Sequence, residues 1–131
     1  MAEDKKILLI VEDERSVLKA LTNKFAGEGF GVLRAENGED GLKVALAEKP
    51  DLILLDLIMP KKTGLQMMHE LRQSSDYGKK VPMIILTNLS ANDKISGEVS
   101  EEEPSYYLVK ADWKIEDVVR KVKETLGMIE K

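Results

Sequence analysis

Leu52-Ile53-Leu54-Leu55-Asp56-Leu57-Ile58-Met59-Pro60 is an apolar run that carries a single aspartate and is closed by a proline. A short continuous apolar run bounded by turn signals predicts a strand buried on both faces, as in parallel sheets covered by helices. A carboxylate is costly in such surroundings unless it stands at the strand's end, near water or a cation. In open parallel α/β sheets, ligands bind at the carboxyl ends of the strands. Asp56 is therefore the first candidate for a chemical centre; the alternative is that it merely opens a loop.

Working outward, Ile7-Leu8-Leu9-Ile10-Val11 is a second such run, followed at once by Glu12-Asp13-Glu14. Val17, Leu18, Leu21 and Phe25 then recur at helical spacing, and Gly27-Glu28-Gly29 ends that helix. Gly31 to Ala35 predicts a short strand, Asn37-Gly38 a turn, and Glu39 to Glu48 a helix carrying Leu42, Ala45 and Leu46 inward. Lys49-Pro50-Asp51 breaks it before the central strand. After the polar loop Lys61-Lys62-Thr63-Gly64, a third helix places Leu65, Met68 and Leu71 on one face, and Ser74 to Lys80 predicts a loop. Val81 to Thr87 is a fourth apolar strand. Ser90 to Glu103, rich in Ser, Asn and acids and holding Gly97, predicts a short or irregular helix. Tyr106-Tyr107-Leu108-Val109 is a fifth strand ending on Lys110, and Ile115, Val118, Val119, Val122 and Leu126 mark an amphipathic closing helix. Strands alternating with helices predict an α/β fold: a five-stranded, doubly wound parallel sheet with five flanking helices, formed by one domain over residues 1–131.

The 131 residues suit one domain with a core, and 43% hydrophobic with 34% charged residues predicts a soluble protein with a highly charged surface. A formal net charge of -4 gives no bulk attraction to nucleic acid or to an anionic membrane. No apolar run approaches the length of a membrane span, and Met1 to Lys6 lacks a signal peptide's apolar core, so a cytoplasmic location is expected. The absence of cysteine excludes disulfide and thiolate chemistry, and one histidine, His69, leaves no material for a His-rich metal site.

Four of the five strands end on polar residues: Glu12 and Asp13, Asp56, Thr87, and Lys110. In a parallel sheet these ends lie along one edge. Three carboxylates there repel one another unless a cation joins them. Hard oxygen ligands without His or Cys select Mg²⁺ or Mn²⁺, and Mg²⁺ commonly keeps places for waters or phosphate oxygens. Lys110 and Thr87 would complete a clamp on phosphoryl oxygens, and a carboxylate can serve as nucleophile to give an aspartyl-phosphate.

With these residues in place, the chain resembles the receiver domain of two-component response regulators, the family of single-domain chemotaxis-type regulators, from Lys5 to about Met128. The matching residues are Glu12-Asp13, Asp56 with Pro60 and Gly64 after it, Thr87, and Lys110 in Tyr107-Leu108-Val109-Lys110. The resemblance implies a flavodoxin-like receiver fold in which Asp56 accepts a phosphoryl group from a phosphohistidine on a sensor histidine kinase or histidine phosphotransfer protein. It implies that Asp13, Asp56 and the backbone carbonyl of Ile58 bind Mg²⁺, with Glu12 acting through water, and that Thr87 and Lys110 hold phosphoryl oxygens. It further implies a switch in which Thr87 moves toward the phosphate and Tyr107 swings inward, remodelling a partner-binding face. The expected partners are therefore the phosphodonor and a downstream protein, with no nucleic acid and no membrane, acting on a monomer or a phosphorylation-dependent dimer. Because the chain stops after its last helix, no output domain is expected; a receiver cut from a larger regulator is the alternative.

The sequence departs from the family pattern at three places: Glu12 where Asp is more usual, Ala111 where proline usually follows the lysine, and Glu102-Glu103-Pro104-Ser105 in place of a frequent Gly-Ala. Two other classes fit less well. An aspartate-dependent phosphatase needs a second acid two residues beyond its nucleophile, where this chain has Ile58. A flavodoxin-like flavin carrier needs a Ser/Thr/Gly phosphate loop where this chain has Glu12-Asp13-Glu14. Gly27 to Gly31 follows a helix and precedes a strand, the reverse of a dinucleotide loop, and reads as a turn. His69 is expected near the surface, Met67 and Met68 in ordinary packing, and Trp113 under the last helix; Lys61-Lys62 could steer an anionic donor.

Overall fold

The computed structural model of the protein describes residues 5–56, 63–87, 106–109 and 114–129. Five strands, β1 (Ile7–Val11), β2 (Gly31–Ala35), β3 (Leu52–Leu55), β4 (Met83–Thr87) and β5 (Tyr106–Val109), form one parallel sheet in the order β2-β1-β3-β4-β5. The described helices are α1 (Arg15–Gly27), α2 (Gly38–Glu48), α3 (Gly64–Ser74), α4 (Asp76–Lys80) and α5 (Ile115–Thr125). The chain runs from β1 out to the β2 edge, then returns past β1 to β3 and proceeds the other way. The crevice between β1 and β3 is thus the topological switch point, where such sheets bind ligands.

The unbroken apolar runs are explained by burial on both faces. Successive strand side chains point to opposite sides. Leu9, Val11, Ile53, Leu55, Met83 and Ile85 pack with Ala45 of α2 and Met67, Met68 and Leu71 of α3. Leu8, Ile10, Leu52, Leu54, Ile84 and Leu86 pack on the other face with Leu18, Leu21 and Phe25 of α1 and Val118, Val119 and Val122 of α5. The expected doubly wound α/β architecture is present, with Met67 and Met68 in the core and His69 exposed.

Three expectations for individual segments fare differently. Residues 74–80 are not simply a loop. Ser75 accepts the Gly78 N–H at 3.1 Å and caps α4, and Arg72 Nη1 donates to the carbonyls of Gly78 at 2.9 Å and Val81 at 2.6 Å. Leu46 does not face inward: it is 39% exposed, because α2 presents the small residues Gly38, Gly41 and Ala45 to the core instead. A Cβ on Gly41 would stand 2.9 Å from Met67 Sδ and 3.0 Å from both Val11 methyls, so the absence of a side chain sets how closely α2 approaches. The helix expected within 90–103 lies outside the described residues, as does Trp113.

Candidate functional site

The strand ladder fixes two of the three acids through their backbones. Val11 pairs with Ala35 on one side and Leu55 on the other. One step beyond, the Glu12 N–H donates to the Ala35 carbonyl and the Asp56 N–H to the Val11 carbonyl, each at 3.0 Å. Glu12 and Asp56 therefore sit side by side at the carboxyl edge of β1 and β3, at the switch point. Glu12 Oε2 accepts the Glu14 N–H at 3.1 Å, which ties its carboxylate to the loop entering α1.

Glu12, Asp13 and Asp56 each offer a carboxylate oxygen, and these oxygens lie within 4.8 Å of one another. Glu12 is 2% and Asp56 7% exposed, whereas Asp13 is open to solvent. Two nearly dry carboxylates beside a third form a region of strong negative potential that a cation would relieve. The donor set is oxygen alone, which suits a hard divalent ion, and the exposed side of Asp13 leaves the cluster reachable from solvent.

Of the other residues expected at this edge, Thr87 and Tyr107 have their backbones placed by β4 and β5. Leu55 pairs with Ile85, so Thr87 ends β4 beside Asp56, and Thr87 in turn pairs with Val109 at the end of β5. Tyr107 lies in β5 opposite Ile85. The side chains of Thr87 and Tyr107, and all of Ile58, Lys61, Lys62, Lys110 and Ala111, lie outside the described residues. β5 ends at Val109 on the same edge as the acids, and Lys110 is the next residue in sequence.

One ion pair at this rim has only a faint signature in the sequence. Arg15, the first residue of α1, places Nε 3.2 Å from Oε1 of Glu36, the residue after β2. Both are well exposed, and exposed charges follow no hydrophobic period that would have flagged them. The only available signal was that Glu36, like Glu12, stands just past a strand's carboxyl end.

The family described as "Response regulator receiver domain" matches residues 8–123. The probable transcriptional regulator ycf27 of Porphyridium aerugineum is 38% identical over 108 residues, covering 81% of this chain and 42% of its own length. The transcriptional regulatory protein DltR of Streptococcus agalactiae is 40% identical over 91 residues, 69% of this chain and 39% of its own. The receiver domain of sensor histidine kinase PA1611 from Pseudomonas aeruginosa, solved with a magnesium ion coordinated in its active site cleft, superposes with a TM-score of 0.84 at 23% identity, over 95% of this chain and 99% of that one. This chain thus spans about two fifths of the length of the curated relatives it matches. Those relatives are transcriptional regulators, which overturns the expectation that nucleic acid plays no part among the partners. That expectation rested on net charge, which describes this span and not the longer proteins it resembles. Among the described residues, no helix is long and apolar enough to cross a membrane.

Proposed function

This chain belongs to the response regulator receiver family, and we propose that Asp56 is its phospho-acceptor and that the acidic crevice at the end of β1 and β3 is where the transfer takes place. The receiver domain is a signalling unit of two-component systems. The observation that carries the assignment of Asp56 is its position at the switch point, nearly buried and within 4.8 Å of the Glu12 and Asp13 oxygens.

We read residues 1–131 as one receiver unit in which Asp13, Asp56 and the Ile58 carbonyl hold Mg²⁺ or Mn²⁺, with Glu12 acting through water. The all-oxygen cluster fits that ion. When bound, the metal neutralises charge on the transferring group and the acceptor. An Asp56 oxygen forms a bond to phosphorus as the phosphohistidine P–N bond breaks, and the leaving imidazole takes up a proton. Burial keeps the Asp56 carboxylate in a fixed orientation and restricts water, so the acceptor is positioned and the acyl phosphate is shielded. Thr87 donates to a phosphoryl oxygen and Lys110 supplies the balancing charge, while Tyr107, one strand over from Ile85, changes packing with Thr87. The new dianion biases one of two packings and so switches a partner-binding face. On this reading the chain catalyses nothing beyond its own phosphorylation and dephosphorylation. The names of the relatives support a transcriptional output for the regulator in which this receiver acts.

Intact-mass spectrometry after incubation with acetyl phosphate and Mg²⁺ tests the assignment. The wild type is expected to carry one labile phosphoryl adduct that Asp56→Asn lacks. No adduct on the wild type, or an equal adduct on both, overturns it.

A further inference from the structure

The loops leaving β1 and β2 line one side of the crevice with charge. They carry the acids Glu12, Asp13, Glu14 and Glu36, and the first residue of α1 adds the guanidinium of Arg15. An anionic phosphodonor that approaches past these acids meets like charge, which lowers its local concentration on that side. Arg15 is two residues from Asp13, so their Cα atoms are at most about 7 Å apart, inside the screening length at physiological salt. Its guanidinium is held at the rim by Glu36 at 3.2 Å, with 87% of the Arg15 side chain exposed and able to meet an incoming anion. The backbone leading into Glu36 is fixed, because the preceding residue, Ala35, accepts the backbone N–H of Glu12 at 3.0 Å.

Resting on the assignment of Asp56 above, we propose that the Arg15–Glu36 pair sets the electrostatic gate of this site: Arg15 attracts anionic phosphodonors, and Glu36 both holds Arg15 in place and offsets its charge. The pair acts through the rim's net charge. It takes no part in bond making.

Charge at the rim has opposite effects on an anion and a cation, which gives the test a signature that a folding defect cannot imitate. In Arg15→Gln, phosphorylation by acetyl phosphate at low ionic strength is expected to slow about threefold, while Mg²⁺, titrated calorimetrically into unphosphorylated protein, binds about threefold more tightly. Glu36→Gln moves both in the reverse direction. The double variant, with the wild-type net charge, returns both toward wild type. All these differences shrink at high salt. A wild type that forms no Asp56 adduct would sink the functional assignment itself. A wild type that is phosphorylated while Arg15→Gln leaves both quantities unchanged, or weakens both together, overturns the gate alone.

Discussion

Adjacent residues in this sequence meet very different surroundings. Glu12 is 2% exposed and hydrogen-bonded to the loop behind it, whereas Asp13, its neighbour, faces solvent. Sequence places both at a strand end, because a parallel sheet leaves little choice, but it does not say which of two consecutive acids turns inward. That depends on how the chain bends into α1. On the proposed assignment, the inward acid orients and the outward one meets an incoming ion. Without a cation, Asp13 mainly adds repulsion to Glu12 and Asp56. Asp13→Asn is therefore expected to stabilise the metal-free protein by about 1 kcal/mol. The same change should abolish most of the stability that Mg²⁺ confers on the wild type. Urea denaturation with and without Mg²⁺ reads both; an undiminished Mg²⁺ effect in the variant removes Asp13 from the ligand set.

At the scale of elements, what could be read was whatever repeats. The central strands were legible because runs such as Leu52 to Leu55 are apolar on both faces, and α1 and α5 because their buried positions recur at helical spacing. What lacked a period was missed. At five residues, α4 is shorter than two helical turns and shows no stripe. It is defined by its ends: Ser75 caps the start, and Arg72, reaching back from α3, takes up the Gly78 and Val81 carbonyls. Leu46 misled because it follows Leu42 at helical spacing, whereas α2 packs through its glycines and Ala45. Arg72 ties α3 to α4 and to the residue that follows it, so Arg72→Ala should cost about 2 kcal/mol through the lost charge-assisted bonds to the Gly78 and Val81 carbonyls. A chemical-denaturation midpoint unchanged from wild type would show that α4 holds without it.

Across the whole molecule, the two faces of the sheet are tied together by the strands they share, and α1 and α5 are tied to each other at their ends. Lys123 Nζ lies 2.7 Å from Glu28 Oε1, and Lys24 Nζ 3.7 Å from its other oxygen. The hydrogen bond and attraction to Lys123 hold the Glu28 carboxyl below its ordinary 4.5. A lowered folded-state value stabilises the protein above the unfolded-state pKa and is lost as pH falls through the folded one. Glu28→Gln should therefore lower Tm at neutral pH, with the gap to wild type closing as pH drops below 4.5. Thermal scans across that range check it, and a gap that stays constant into the acid would separate the effect from ionisation. The same ion pair also orients the molecule. Glu28 lies just before β2, whose first residue pairs with Ile7 at the beginning of β1, so α5 finishes at the amino edge of the sheet. Lys5 and Ile129 thus both lie toward that edge, a strand's length of roughly 16 Å from the acids. A fluorophore attached at Lys5 or Ile129 would hang beneath the sheet, leaving the mouth of the crevice unobstructed for kinetic work.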